Sequence, residues 1–164
     1  IPTSLSTART RLRSAISNEQ DDVADFHEAM EMPASPEPAI QRGELRCSLI
    51  EEEARETCAA IRAGDLIGAI DGLCDLLYVA YGTAVEFGIA RGPFWDEVHR
   101  TNMAKVGGPV REDGKRLKPP GWTPPDLRPI LAKQRWLARA RRHYREHGCD
   151  LWLCPDRPKM EDSL

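Results

Sequence analysis

Carboxylate side chains form two groups that lie close together in the sequence. In the stretch IEEEARE, Glu52, Glu53 and Glu56 have the i, i+1, i+4 spacing that places side chains on one side of a helix. Asp71 and Asp75 follow, one helical turn apart, in the almost wholly apolar run AIDGLCDLLYVAYGTAVEF. A glutamate-rich helix alone is typical of a solvated surface, but two acids in an apolar helix require another explanation.

The two aspartates favour a metal site. A helix that is apolar on nearly every side is expected in the centre of a bundle, where an unpaired carboxylate is costly. No Lys or Arg occurs between Arg62 and Arg91, so a basic partner nearby in the sequence is lacking. Two antiparallel helices joined at Gly64 and Asp65 would set the acids against each other. A hard divalent cation, Mg²⁺ or Mn²⁺ as its substitute, would relieve their repulsion.

The elements that position these acids are all predicted to be helices. Helix-forming patterns cover residues 19–31, 39–62, 66–87, 93–105 and 126–147, and no convincing strand is found. The Gly- and Pro-rich segment 106–127 is predicted to be an ordered loop or a lid. The pattern indicates an all-α bundle of four to five helices. We expect a flexible N-terminus over 1–18, a functional domain over 19–127, and a basic C-terminal helix and tail over 128–164.

Bulk composition sets a few further limits. A chain of 164 residues with a net charge of −3 fits one globular domain and has no overall bias towards nucleic acid or membranes. No apolar run is expected to approach the roughly twenty residues of a membrane span. The odd count of five cysteines favours a reducing compartment, so we expect a cytoplasmic protein without a disulfide framework.

The acidic motifs resemble a known superfamily. Its signature is E-E-x-x-E followed by E-x-x-D, and the chain is similar to the all-α nucleoside triphosphate pyrophosphohydrolase (MazG-like) superfamily. Further stretches in the same order resemble the branch that includes Deinococcus-type dUTP-hydrolysing enzymes: DFHEAM, LIEEEARE, DLLYVAYGTAVEFGI, EVHRTNMAKV and DGKRLKPPGWTPPDL. One position departs from the pattern, because Gly72 stands where E-x-x-D has its glutamate. Asp71 is the candidate to supply that carboxylate from the neighbouring position.

The resemblance implies an activity and a set of roles. It implies Mg²⁺-dependent hydrolysis of a (deoxy)nucleoside triphosphate, such as dUTP or a related dNTP, to the monophosphate and pyrophosphate, in nucleotide-pool housecleaning. Two or more metal ions would be held by the acids of both groups. The implied catalytic residues are Glu53 and Glu52, and Glu53 is the preferred choice for the base or water-orienting residue. The implied metal ligands are Glu52, Glu53, Glu56, Asp75 and Asp71.

Residues outside the acidic groups are implied to contact the substrate or a partner. Asn102 and Lys105 would contact the sugar and phosphates, while Lys115 and Lys118 would bind phosphates. Phe26 or His27 would stack on the base, although core packing is the favoured role for both. The superfamily resemblance also implies a homodimer or homotetramer that completes the short bundle.

Other functions stay open at the level of the sequence. The Gly72 change is compatible with a nucleotide-binding regulator that has lost catalysis. The basic C-terminal helix, with Trp136 and Tyr144, is compatible with a nucleic-acid-binding module, although contact with a partner subunit or with the bundle itself is favoured. A zinc site is a weaker alternative because the C-x₄-C spacing is loose; it would use His143, His147, Cys149 and Cys154.

Overall fold

Five helices make up most of the protein in the computed structural model, which describes residues 19–148, 154, 156, 158 and 159. The N-terminal segment 1–18 and Cys149 lie outside the described residues. Within them there is no strand, only an isolated bridge between Val110 and Arg116, and the all-α prediction is confirmed. The helices are α1 Glu19–Ala29, α2 Gly43–Ala63, α3 Leu66–Glu86, α4 Arg91–Met103 and α5 Arg128–His147.

The helix boundaries follow local backbone chemistry. Helix α2 ends at Gly64, whose φ of 71° is easily adopted by glycine and whose N–H donates to the carbonyls of Ala60 and Ile61. The Asp65 carboxylate then caps α3 by accepting a 3.0 Å hydrogen bond from the Gly68 N–H. The end of α2 at Gly64 and the cap of α3 at Asp65 both agree with the connection predicted from the sequence. Helix α2 begins later than the predicted residue 39, because Arg42 has a left-handed conformation (φ 42°, ψ 45°) just before it.

The chain divides into two compact units. The first comprises residues 19–35 and 39–88 of the described chain and therefore contains α1, α2 and α3. The second comprises residues 36–38 and the described residues from 89 onward, with α4, α5 and the loop between them. In the first unit, α2 and α3 form an antiparallel hairpin, and α1 packs against α3.

A buried ion-pair cluster joins the first unit together. The carboxylate of Glu86 is fully buried and accepts hydrogen bonds from Arg42 Nε at 2.8 Å and Arg42 Nη2 at 2.6 Å. Arg46 is also buried; its Nη1 lies 3.6 Å from Glu86 Oε2, and it donates to the Val79 carbonyl and the Thr83 hydroxyl. Because α2 supplies Arg46 and α3 supplies Glu86, the cluster fixes one end of the hairpin. These contacts also leave the buried guanidinium well supplied with acceptors.

His27 completes this buried region from α1. Its ring lies against Gly82, where an added Cβ would be 3.0 Å from His27 Nε2 and 2.8 Å from Arg46 Nη2. Glycine at position 82 therefore allows α1 and Arg46 to approach α3. His27 Nδ1 is buried and has no hydrogen-bond partner among the described residues. Burial lowers the pKa of His27, the charges of Arg46 and Arg42 lower it further, and Glu86 opposes them.

This lowered pKa predicts that acid destabilises the protein. The unfolded chain binds a proton at His27 near the ordinary value of about 6.5, while the folded chain binds it only at lower pH. The contribution of His27 is therefore complete above that value and is lost as the pH falls below it. Urea unfolding at pH 7.5 and pH 5 should show a smaller free energy of unfolding at pH 5. The decrease should be smaller in His27→Asn, and an equal decrease in both proteins would contradict the assignment.

Helix α3 is much less enclosed than its composition predicts. Its buried residues are Ala69, Gly72, Gly82 and Glu86, all facing α1 and α2, while Asp71 and Asp75 are exposed. The expectation that this helix lies in the centre of a bundle is therefore wrong for the single chain. The two neighbouring helices cover one face only. The opposite face leaves an exposed apolar stripe formed by Leu66, Ile70, Leu73 and Leu77.

The same exposed helix corrects a second expectation. Among the described residues α3 is long and apolar enough to cross a membrane by length and composition alone, which the sequence pattern had not suggested. This criterion is also met by core helices of proteins that do not enter membranes. Asp71 and Asp75 lie in the middle of α3, and each would cost about 2.5–3.5 kcal/mol at the centre of a bilayer. The positions of these acids therefore argue against a spanning role.

Candidate active site

The two acidic groups lie on the facing helices of the α2–α3 hairpin. Glu53 precedes Thr57 by one turn on α2, and the Thr57 hydroxyl donates to the Glu53 carbonyl at 2.7 Å. Thr57 packs directly against Gly72 on α3. Because the helices are antiparallel, the turn before Thr57 and the turn after Gly72 extend in the same direction. Glu53 and Asp75 are therefore the acids that face each other most directly.

The pKa of Glu53 reflects the closeness of the two acidic groups. Glu53 is half-buried, and partial burial is the largest cause that raises its pKa. The negative charges of Asp75, Glu56, Glu52 and Asp71 raise it further, in that order. The other four carboxylates predicted from the sequence thus all act on Glu53. A raised pKa makes the Glu53 carboxylate a better proton acceptor than an ordinary surface glutamate.

The chemistry of these acids fits a hard divalent cation. None of the five forms an ion pair with a basic side chain in the part of the chain that the structure describes. Carboxylate oxygens are the ligands that Mg²⁺ and Mn²⁺ prefer, and a cation would relieve the repulsion that raises the pKa of Glu53. As placed, no three His, Cys, Asp or Glu side chains of the described residues enclose a common metal position. The five carboxylates are chemically suitable ligands, but their side chains are not arranged around a single metal position.

Position 72 has a physical reason to be glycine. An added Cβ would lie 2.7 Å from Thr57 Oγ1 and 3.0 Å from Thr57 Cα. The second contact is with backbone, so a side chain at this position would require the two helices to separate. A glutamate at position 72 is therefore incompatible with this hairpin, and the acids adjacent to the contact are Asp71 and, one turn on, Asp75.

The second unit brings together several of the predicted phosphate-binding residues. Lys105 Nζ donates to Asn102 Oδ1 at 2.6 Å and lies 5.8 Å from the ring centre of Trp122. Lys118 Nζ lies 4.1 Å from the centre of the same ring. Neither ammonium group has a carboxylate partner within the described residues. A cation–π contact orients a charge without neutralising it, so this lysine–tryptophan cluster (Asn102, Lys105, Lys118 and Trp122) is suited to bind an anion.

The loop that supplies Lys118 is ordered and tied to α4. Trp122 Nε1 donates to the Thr101 carbonyl at 2.8 Å, and the Asp126 N–H donates to Glu97 Oε1 at 3.1 Å. The bidentate hydrogen bonds from Arg100, together with the one from Asp126, lower the pKa of Glu97 to about 2. Glu97 therefore stays charged and holds the end of the loop at all ordinary pH values.

Three other sequence candidates occupy different surroundings. Lys115 lies in the short hairpin around Val110 and Arg116, and no contact joins it to the lysine–tryptophan cluster. His27 is 4% exposed and packs in the core, which is the role that the sequence favoured for it. Phe26 is 42% exposed, so core packing does not describe its position. Its ring meets that of the equally exposed Tyr78 edge-on, with centroids 5.7 Å apart.

The histidines of the C-terminal helix have one contact relevant to the zinc alternative. His143 Nε2 lies 3.1 Å from Cys154 Sγ, and the His143 and His147 rings are 4.5 Å apart. These side chains are not placed as a metal-binding group of three in the described part of the chain, and Cys149 lies outside it. The structure therefore adds a His–Cys contact but no zinc centre.

The segment that holds the carboxylates matches the model of a known family. Residues 23–102 match the model of the phosphoribosyl-ATP pyrophosphohydrolase family. This range covers the larger part of α1, all of α2 and α3 and nearly all of α4, and it contains all five carboxylates. No curated protein matches the chain. The matched family belongs to the MazG-like all-α pyrophosphohydrolases, so the similarity supports a hydrolase of nucleotide pyrophosphate bonds, without distinguishing a dUTP-hydrolysing branch.

In each of the two units, some residues near the candidate side chains were not found from the sequence. Trp122 lies in the Gly/Pro-rich loop, where residue spacing carries no signal of the contact with Lys118. Tyr78 lies in the apolar run of α3, whose composition does not indicate that this ring is exposed. Thr57 had no signal at all, because its importance comes from the backbone contact with Gly72.

Proposed function

We propose that this protein is a Mg²⁺-dependent nucleoside triphosphate pyrophosphohydrolase. It would cleave between the α- and β-phosphates of a (deoxy)nucleoside triphosphate, dUTP or a related dNTP, and release the monophosphate and pyrophosphate. The proposal depends on one observation above all. Four carboxylates from α2 and α3 raise the pKa of a fifth, Glu53, and none of the five has a basic partner among the described residues, in a segment that matches a pyrophosphohydrolase family.

The roles of the acids follow from their positions. Glu52, Glu56 and Asp75, with Asp71, are the proposed holders of the divalent ions, which neutralise phosphate charge and activate water when bound. Glu53 is the proposed base, because partial burial and its acidic neighbours raise the pKa of its carboxylate. It would orient the attacking water and take its proton.

A substrate panel tests the activity and its bond specificity. Canonical and modified (d)NTPs, dUDP and phosphoribosyl-ATP would be incubated with Mg²⁺ or Mn²⁺ and assayed for pyrophosphate and phosphate. We expect pyrophosphate and the monophosphate from at least one nucleoside triphosphate. If phosphoribosyl-ATP is the only compound hydrolysed, the proposed substrate would be replaced by that of the matched family. Phosphate as the only product would contradict the assigned bond, and nucleotide binding without turnover would favour the regulator.

The lysine–tryptophan cluster is the proposed phosphate-binding element of the second unit. Charge-assisted hydrogen bonds contribute about 1.5–3 kcal/mol each, which corresponds to roughly 10–100-fold in affinity. Lys118→Gln should therefore raise KM by about that factor with a smaller change in kcat. Lys133→Gln, an exposed lysine of α5, is the control and should leave KM unchanged. Equal kinetics for Lys118→Gln and the control would remove Lys118 from the proposed phosphate contacts, while Lys115 is a weaker candidate because it lies in the short hairpin around Val110 and Arg116.

The aromatic pair Phe26 and Tyr78 is the proposed contact for the base. Both rings are half-exposed, and Tyr78 follows Asp75 by three residues on α3, a spacing that places neighbours on one helix face. An exposed aromatic face next to the acids offers a stacking surface for any base. This position gives no discrimination between bases, so the preferred base is left to the substrate panel.

A homodimer or homotetramer is proposed to cover the apolar stripe of α3. Four large apolar side chains, Leu66, Ile70, Leu73 and Leu77, would otherwise be in water. Light scattering during size exclusion should give a dimer or tetramer, and Leu73→Glu should shift it towards the monomer. Ile40→Glu, at an exposed apolar residue outside the stripe, should not. A monomeric wild-type protein at micromolar concentration would contradict the proposal.

A further inference from the structure

The contact between Thr57 and Gly72 lies beside both acidic groups. Glu56 immediately precedes Thr57 on α2, and Asp71 immediately precedes Gly72 on α3. Glu53 and Asp75 lie about one turn away, both on the same side of the contact. Thr57 is 4% exposed and Gly72 is buried, so the contact is fully packed.

This contact sets how closely the two helices approach. A Cβ at position 72 would meet Thr57 Cα at 3.0 Å, closer than real Cβ atoms normally pack. The helices therefore pack at a separation that only glycine permits. A methyl group there would have to push the backbones of α2 and α3 apart, because the obstructing atom is not the end of a flexible side chain.

We propose that Gly72 and Thr57 are positioning residues that set the gap between the acidic groups to the reach of aspartate. The inference rests on the proposed metal-dependent function. Aspartate is one methylene shorter than glutamate, so Asp71 and Asp75 need a closer approach of the two helices than glutamates would need in order to reach ions held by Glu52 and Glu56. Gly72 interrupts the E-x-x-D pattern. The close approach of the helices that it permits is then the feature that allows Asp71 and Asp75 to serve in place of that pair of acids.

The inference predicts that helix spacing and side-chain length compensate for each other. Gly72→Ala widens the gap, and Asp75→Glu makes the side chain too long for the native gap. Residues that orient metal ligands typically alter metal affinity by about 10–100-fold. Each single change should therefore weaken the binding of Mn²⁺ alone by about that factor. The double variant should bind more tightly than either single variant, because the longer acid spans the wider gap.

Titration of Mn²⁺ alone, followed by its electron paramagnetic resonance, measures this directly. Compensation in the double variant supports the inference, and additive losses or an unchanged Gly72→Ala would overturn it. If Gly72→Ala does not fold, Gly72→Ala with Thr57→Ala takes its place. That combination removes Oγ1, the nearest obstructing atom, and should give a smaller loss of affinity that Asp75→Glu still recovers.

Gly82→Ala is the matched control in the same helix. Its added Cβ is equally crowded, 2.8 Å from Arg46 Nη2, but it lies at the buried ion-pair cluster rather than between the acids. We expect it to lower the free energy of unfolding without changing Mn²⁺ affinity. A wild-type protein that binds no Mn²⁺ would refute the proposed metal site itself. Wild-type binding with equal effects of Gly72→Ala and Gly82→Ala would refute only the positioning role.

Discussion

Glu53→Gln is expected to abolish turnover while leaving the fold intact. Loss of a general base typically lowers the rate by about 10²–10⁴-fold, and glutamine preserves the size of the side chain. Glu53 has the strongest carboxylate crowding of the group, because Asp75, Glu56, Glu52 and Asp71 all raise its pKa after partial burial does so. Steady-state rates on the best substrate of the panel, with circular dichroism of the folded protein, provide the measurement.

The stability of the metal-free variant separates a catalytic from a structural role. Replacing Glu53 by a neutral side chain removes a repelled charge, so the melting temperature without metal should stay the same or rise. If Glu53 had a structural role instead, its replacement would lower the melting temperature. Glu51→Gln serves as the control because Glu51 is exposed on the same helix and does not contribute to the raised pKa. Glu53→Gln with wild-type rates would remove Glu53 from the proposed chemistry.

Glu86→Gln is expected to produce the largest loss of stability. Glu86 is fully buried and pairs with Arg42 and with Arg46, whose side chain is 4% exposed. Removing one member of a buried ion pair typically costs about 3–5 kcal/mol, because the remaining charge is left without a partner in a dry environment. The free energy of unfolding from urea titration should fall by about that amount.

An exposed ion pair in the same protein provides the comparison. Arg111 and Asp113 also form a bidentate pair, but both side chains are more than half exposed. Asp113→Asn should cause a far smaller loss of stability, since water and salt screen surface pairs. If Glu86→Gln is as mild as Asp113→Asn, the buried cluster is not what joins α1, α2 and α3.

The parts of the fold that the sequence predicted are those with local causes. Gly64 and Asp65 end one helix and cap the next through hydrogen bonds that span three or four residues. The spacing of Glu53 and Asp75 within their helices is likewise local. The turn between the helices is so short that their antiparallel arrangement follows from it. Sequence reasoning could therefore place the acids on facing helices, although their exact approach depends on Gly72.

The contacts that were missed join residues far apart in the sequence. Arg42 and Glu86 are 44 residues apart, and Trp122 reaches the Thr101 carbonyl across 21 residues. No periodicity or motif signals such pairs. The exposure of α3 was missed for a different reason. The composition of a helix indicates how much apolar surface it has, but not which part of that surface the chain itself covers.

The shortness of the connection at Gly64 and Asp65 also bears on folding. Closing a loop costs more conformational entropy as the loop grows, and here two residues join the helices that hold all five acids. Contacts that are this local generally form early and quickly. The spacing of the acids is therefore set when the α2–α3 hairpin forms, and it requires neither α1 nor the second unit. Mutations elsewhere should change how much protein is folded far more than how the acids are arranged in the molecules that do fold.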